Sequence, residues 1–355
     1  MHYTKYLLAI IFCTSAYAKG KLPELITKQA LDNIRFISHD GRFTFFQKSS
    51  GALNYSTNYK TEDVLKKDPG TFYLVQSSQR KRLLISAYSN FHRNYDIEKN
   101  AEIYIAPYGG TSLQLVATGT SPKLHLGDDW LTYFDPKKEL LHLMSLRPDK
   151  KTYTVKLSSK PNSFFVPEVV MMNPETLLIS ESTEKGVAAI VKYNLLSNKS
   201  EVIYKSNKSG TKIEMCLFEN ILVTGEFGID DVDRGSTIST LKYESTPNLS
   251  GMKVLYQAND NDLGNMICDS DGVYFIKTMS SDKKLNINKT EAVLLDYKNG
   301  TVTIQSDLEQ ATQLINMDGR ILIPFREKFY VVKGHFQLGI DELKKSSIKT
   351  MGESE

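Results

Sequence analysis

Ile37-Ser38-His39-Asp40-Gly41-Arg42-Phe43 sets a tight acidic turn between two apolar stretches, and a near copy, Ile315-Asn316-Met317-Asp318-Gly319-Arg320-Ile321, returns close to the other end of the chain. An Asp-Gly pair in such a setting joins two antiparallel strands, because glycine accepts the positive φ that a tight turn needs. The two turn aspartates, Asp40 and Asp318, lie 278 residues apart. That distance is six steps of about 46, and in a chain of short strands a step of this size is typical of a β-propeller blade.

The same rhythm fills the space between the copies. Turns centred on Asp40, Asp128, Pro174, Glu219, Asp271 and Asp318 are separated by 88, 46, 45, 52 and 47 residues. Each unit reads as two strands around an acidic turn, a longer loop, and two more strands around a second turn. Four antiparallel strands cannot bury both faces alone, so copies must stack, and radial stacking leaves only short edges. The reading is an all-β chain forming a single β-propeller over residues 19–334. The first gap is two units wide, and two counts fit it: seven blades with a degenerate second blade around Leu83–Ala117, or six with a long hairpin inserted in the first. The last unit shows three strands and ends at Lys333. The segment Leu22–Thr27 is the natural donor of a fourth, an N-terminal strand closing the last blade. Within the polar interval Lys48–Gly70, Thr61–Lys67 reads as a helical turn or two. Residues 335–355 read as a polar tail.

The first residues are set apart from the fold. His2 and Lys5 precede an apolar run from Tyr6 to Cys13, and Ala16-Tyr17-Ala18 follows, the order of a secretory signal peptide over residues 1–18. The run is too short for a permanent membrane span, and no later segment approaches the roughly 18 unbroken apolar residues that one needs. The formal charge is +3 over 355 residues with basic residues scattered, so nucleic acid is not implied. After cleavage two cysteines remain. Aligning neighbouring units places Cys216 on Cys268, and matching positions on adjacent blades ordinarily lie beyond the roughly 7 Å Cα limit of a bridge, so buried thiols are expected.

His39-Asp40-Gly41-Arg42-Phe43 and Met317-Asp318-Gly319-Arg320-Ile321 resemble the repeat of TolB-like, WD40-like and related periplasmic propellers. The resemblance covers most of the chain as a rhythm, with two close copies. It implies architecture and compartment, with a scaffold role by analogy.

Signatures of catalysis are sparse. No Gly-x-Ser-x-Gly elbow, His-Glu-x-x-His, Gly-rich phosphate loop or Cys-x-x-Cys occurs after residue 18, and the six histidines never fall at metal-ligand spacing. No catalytic residue is assigned. Asp230, Asp231 and Asp233 fall in one loop and Asp260 and Asp262 in the connection to the next blade, two loop types that emerge on the same propeller face. Oxygen-rich loops beside glycine suit Ca2+, and solvated turn residues are the alternative. His92, Arg93 and Tyr95 sit in a long loop expected on that face, where aromatic and cationic side chains suit a protein, peptide or anionic glycan. Trp130, at the head of a strand, is expected between blades rather than on a ligand. The turn aspartates Asp40, Asp271 and Asp318 are expected to be structural. The reading is a secreted or periplasmic, monomeric binding and assembly module that needs no cofactor. Its loops, chiefly Lys48–Gly70, Asn90–Asn100, Gly228–Gly235 and Ser280–Thr290, meet another envelope or extracellular molecule. The alternative is a propeller-type hydrolase or lyase using the acidic loops, with or without Ca2+.

Overall fold

The computed structural model describes residues 34–333 except 39–42, 48–49, 58–60, 69, 78–80, 90–99, 158–166, 183–186, 210, 220, 229–235, 243–252, 259–260, 282–286, 298–300, 310–313 and 326–327. The leader, the segment Leu22–Thr27 and the tail therefore lie outside the described residues. What is described is all strand and turn, with no helix among the described residues.

The first sheet is β1 (Ile34–Ile37), β2 (Phe43–Gln47), β3 (Ala52–Thr57) and β4 (Thr61–Lys66), in that order. The helical turn expected at Thr61–Lys67 is instead the outer strand of this sheet, and Lys48–Gly70 is not a loop. Its Glu62, Asp63, Lys66 and Lys67 read as polar sequence because an outer strand exposes one face to water. The next sheet has seven strands: β5 (Phe72–Gln76), β6 (Arg82–Tyr88), β7 (Ala101–Pro107), β8 (Gln114–His125), β9 (Trp130–Asp135), β10 (Leu140–Ser145) and β11 (Thr152–Lys156). It divides within β8, whose first half pairs with β7 up to Gly119 and whose second half pairs with β9 from Thr120. The chain turns sharply here. A Cβ on Gly119 would stand 2.6 Å from the Tyr133 ring and 2.8 Å from the Phe134 carbonyl, so only glycine fits.

Three four-stranded sheets follow. They are β12 (Val169–Asn173) with β13 (Thr176–Ser182), β14 (Val187–Asn194) and β15 (Lys199–Ser209); β16 (Thr211–Phe218) with β17 (Ile221–Gly228), β18 (Ser236–Lys242) and β19 (Lys253–Ala258); and β20 (Asn261–Asp269) with β21 (Gly272–Ser281), β22 (Ile287–Leu295) and β23 (Val302–Glu309). The last described sheet is β24 (Ile315–Met317), β25 (Arg320–Phe325) and β26 (Lys328–Lys333).

The period of two along each second strand turns these sheets into a ring, because alternate side chains pack against opposite neighbours. On β13, Leu177 and Ile179 join Trp130, Leu141 and Leu143 of the preceding unit, while Leu178 joins Ile213, Met215 and Leu222 of the following one. On β21, Val273 and Phe275 face Val223 behind, and Tyr274 and Ile276 face Leu314 and Ile321 ahead. On β6 and β9 the same division puts Leu84 against Leu131. The circle closes at the chain ends. Met317 and Leu322 of the last sheet pack into the cluster of Phe36, Phe43, Phe45 and Leu53 in the first. Each large apolar side chain fully buried there contributes about 1.5–3 kcal/mol, more than any single polar contact across the seam. The molecule is a β-propeller.

Trp130 is 3% exposed and stacks on Tyr153 between units, as its position implies. Asp318 takes a φ of 54° and accepts a hydrogen bond from the Tyr108 hydroxyl, with Arg320 fully buried beside it. Asp271 accepts from Ser270 Oγ at 2.9 Å and from the Tyr274 hydroxyl at 3.3 Å. Both turn aspartates are thus structural; Asp40 lies outside the described residues.

The cysteines overturn their expectation. Cys216 on β16 and Cys268 on β20 are joined by a disulfide, with Cα atoms 5.6 Å apart. The spacing argument fails because the two cysteines are one residue out of phase: Cys216 pairs with Val223, which faces the next unit, and Cys268 with Val273, which faces back, so the two side chains meet at one boundary.

Candidate functional site

First strands meet one another around the ring, β1 with β5, β12 with β16 and β16 with β20, so they form the hub. A propeller's usual site lies at the mouth of this hub. The polar side chains described there are held by partners. Lys123 Nζ on β8 lies 3.4 Å from Glu168 Oε2, beside the start of β12, an ion pair between neighbouring units. The Glu168 N–H in turn donates to Ser180 Oγ at 2.9 Å. On β16, Lys212 Nζ is 2.7 Å from Glu214 Oε1, and Glu214 Oε2 accepts the Met266 N–H of the next unit at 3.2 Å. On the opposite side of the ring Arg35 lies over the Phe72 ring, 4.7 Å from its centroid, and its Nε donates to Gln47 Oε1 at 3.1 Å.

One pattern keeps step with the turns. Asp135, Glu181 and Glu226 each stand four residues after a buried leucine of the second strand, Leu131, Leu177 and Leu222, so they are equivalent positions 46 and 45 residues apart. In the next unit Lys277 takes the place, paired in register with Glu291. The Tyr193 hydroxyl donates to Glu181 Oε1 at 2.6 Å, and the Tyr204 hydroxyl crosses to Glu226 Oε1 of the next unit at 2.5 Å. Burial first, and then the bonded carboxylate, pushes both phenols well above their ordinary range, so they remain donors at any physiological pH. The series stands seven residues after the turn centres Asp128, Pro174 and Glu219, so the turn alignment already carries it. Its carboxylates serve the ring, and general acid or base work by Glu181 or Glu226 would first have to break these bonds.

His92, Arg93 and Tyr95 lie outside the described residues, as do Asp230, Asp231, Asp233 and Asp260. Asp262 is described, and it differs from expectation: β20 begins at Asn261, so Asp262 is in a strand, in register with Thr278, and not in a connecting loop. Among the described residues there is no group of three or more His, Cys, Asp or Glu placed to hold a metal ion. Lys137 and Lys138 turn their N–H groups onto Asp135 Oδ1 at 3.1 and 3.2 Å.

No protein-family model matches the sequence, and no curated protein matches it. Solved structures do. The chain is similar to the tricorn protease, with a TM-score of 0.55 at 10% identity over 89% of this chain and 35% of that one. It is similar to a prolyl endopeptidase, with a TM-score of 0.53 at 10% identity over 96% of this chain and 56% of the other. It is also similar to the β-propeller domain of Myceliophteria thermophila Cps50 (Swd1), with a TM-score of 0.50 at 11% identity, covering 88% and 97%. The chain spans about half of the prolyl endopeptidase and about a third of the tricorn protease. At these identities the likeness is one of fold, and it agrees with the ring drawn above: the class is the β-propeller, of the kind that TolB-like and WD40-like repeats build.

Proposed function

We propose that the protein is a secreted or periplasmic propeller of seven blades that works as a binding and assembly module. The observation that carries this is the use made of polar groups at the boundaries between units. Glu168, Glu214 and Glu226 are each bonded across a boundary between units, to Lys123, to the Met266 N–H and to Tyr204. A ring stitched in this way is a stiff frame for its loops. The Cys216–Cys268 disulfide supports an oxidising compartment, since such bonds persist outside the cytosol. The leader pattern over residues 1–18 agrees. The partner is an envelope or extracellular protein, peptide or glycan, met by a monomer through His92, Arg93 and Tyr95. Capture from solubilised envelope material with the full chain tests it: Arg93→Ala and Tyr95→Ala should each deplete the same captured species, and undiminished capture by both variants would refute the loop-face assignment.

The hydrolase or lyase alternative rests on the acidity of Asp230, Asp231, Asp233, Asp260 and Asp262. Calcium should then raise the melting temperature and chelator lower it, with both responses lost in Asp231→Asn. An unresponsive melting temperature removes the metal from this reading.

A further inference from the structure

The outer edges of the units are not alike. In five of them the outermost strand is bulged where an extra residue breaks its register, at Val64 in β4, Val116 in β8, Ile203 in β15, Leu255 in β19 and Gln305 in β23, and β15 breaks a second time between Lys205 and Ser209. In four of the five the break adjoins the partner of Ser86, Ser180, Gly225 or Ile276, a common level of the second strand. A bulge bends and twists an edge strand, which spoils it as a template for another chain. β11 is different. It pairs with β10 without a break from Lys156 opposite Leu140 to Thr152 opposite Met144, passing straight through the corresponding level at Leu141.

The phase of this ladder is known. The Ser145 N–H donates to the Lys151 carbonyl at 2.7 Å. Bonded and non-bonded pairs alternate in an antiparallel ladder, so Tyr153 and Val155 spend their backbone groups on β10, and the N–H and C=O of Thr152, Thr154 and Lys156 face away from it. Among the described residues β11 is paired on its β10 side alone. The side chains of Thr152, Thr154 and Lys156 are exposed, and so are those of Lys150 and Lys151 just before the strand. The nearby Arg147 is held by Asp129 at 2.6 Å. A second copy laid antiparallel on this edge would bring Lys156 against Lys150 and Lys151, which like-charge repulsion opposes. An acidic strand meets no such conflict.

We propose that β11 is a docking edge for an extended acidic peptide segment of a partner protein, which adds as a further strand beside Thr152–Lys156 with its carboxylates against Lys150, Lys151 and Lys156. Main-chain bonds supply the attachment and the lysines select the charge. This surface is separate from the loop face proposed above and does not depend on it.

The test uses the full chain and a short labelled peptide of alternating valine and glutamate, followed by fluorescence anisotropy and by amide exchange across β11. The peptide should bind saturably and slow exchange at Thr152, Thr154 and Lys156. Thr154→Pro removes an outward donor without removing a bond to β10, and it should weaken binding roughly tenfold while the melting temperature holds. Lys150→Glu, Lys151→Glu and Lys156→Glu together should reverse the preference, toward a peptide with lysine in place of glutamate. Arg93→Ala should change nothing here. The proposal is overturned if no saturable binding occurs, if Thr154→Pro and the charge reversal both bind as the parent does, or if Arg93→Ala abolishes binding. A peptide-free dimer that Thr154→Pro dissociates would assign the edge to a second copy instead, and would equally overturn it.

Discussion

Replacing Cys216 and Cys268 together by serine removes the covalent link between β16 and β20 and leaves the rest of the hub in place. The two residues are 52 apart in sequence. Opening a loop of that length returns about 14 cal/mol/K to the unfolded chain, or about 4 kcal/mol at 25 °C. Unfolding entropy scales with length at about 2.1 cal/mol/K per residue, so for a chain of 355 residues the melting temperature should fall by about 5 °C. Scanning calorimetry with and without a phosphine reductant reads this directly, with alkylation and intact mass reporting the thiols. Reductant should lower the parent to the value of the double variant and leave the double variant unmoved. If complete reduction leaves the parent's transition where it was, or if both thiols alkylate in unfolded protein never exposed to reductant, the linkage argument fails.

Three further outcomes follow from particular contacts. Gly119→Ala puts a Cβ 2.6 Å from the Tyr133 ring and 2.8 Å from the Phe134 carbonyl, and should cost about 1–3 kcal/mol by thermal denaturation. His125 is buried, its Nε2 is 2.8 Å from Thr132 Oγ1, and burial holds its pKa well below the ordinary 6.5. The unfolded chain therefore binds the proton first, so stability is fully present above about pH 6.5 and declines below it, by up to about 1.4 kcal/mol per pH unit; His125→Gln should flatten that part of a stability profile. Glu168→Gln breaks a half-exposed ion pair and should cost under about 1 kcal/mol, shrinking further in high salt.

The ring was legible from the turns because a propeller repeats its tightest geometry, and Asp-Gly at 40, 271 and 318 marks it in plain residues. Interior strands such as Thr176–Ser182 announce themselves by apolar content. β4 does not: an outer strand made of Thr61, Glu62, Asp63, Val64, Leu65 and Lys66 has one apolar pair and reads like a helical or looped interval. The disulfide was missed for a different reason. The register that places Cys216 on Cys268 is one residue off: the hairpins end at Phe218 opposite Ile221 and at Asp269 opposite Gly272, so Cys216 matches Ile267, and one residue of slip turns a strand's side chain to its other face. The second-strand series Asp135, Glu181 and Glu226 is present in the letters, four positions beyond Leu131, Leu177 and Leu222, yet acids at strand ends look like ordinary solvated residues until the tyrosines that bond Glu181 and Glu226 are placed.

The bond between Cys216 and Cys268 spans the segments 229–235 and 243–252. A protease that cuts anywhere between the two cysteines therefore makes two polypeptides but not two molecules. The nicked protein keeps its mass, runs as one species on a denaturing gel, and separates into pieces only when reductant is added.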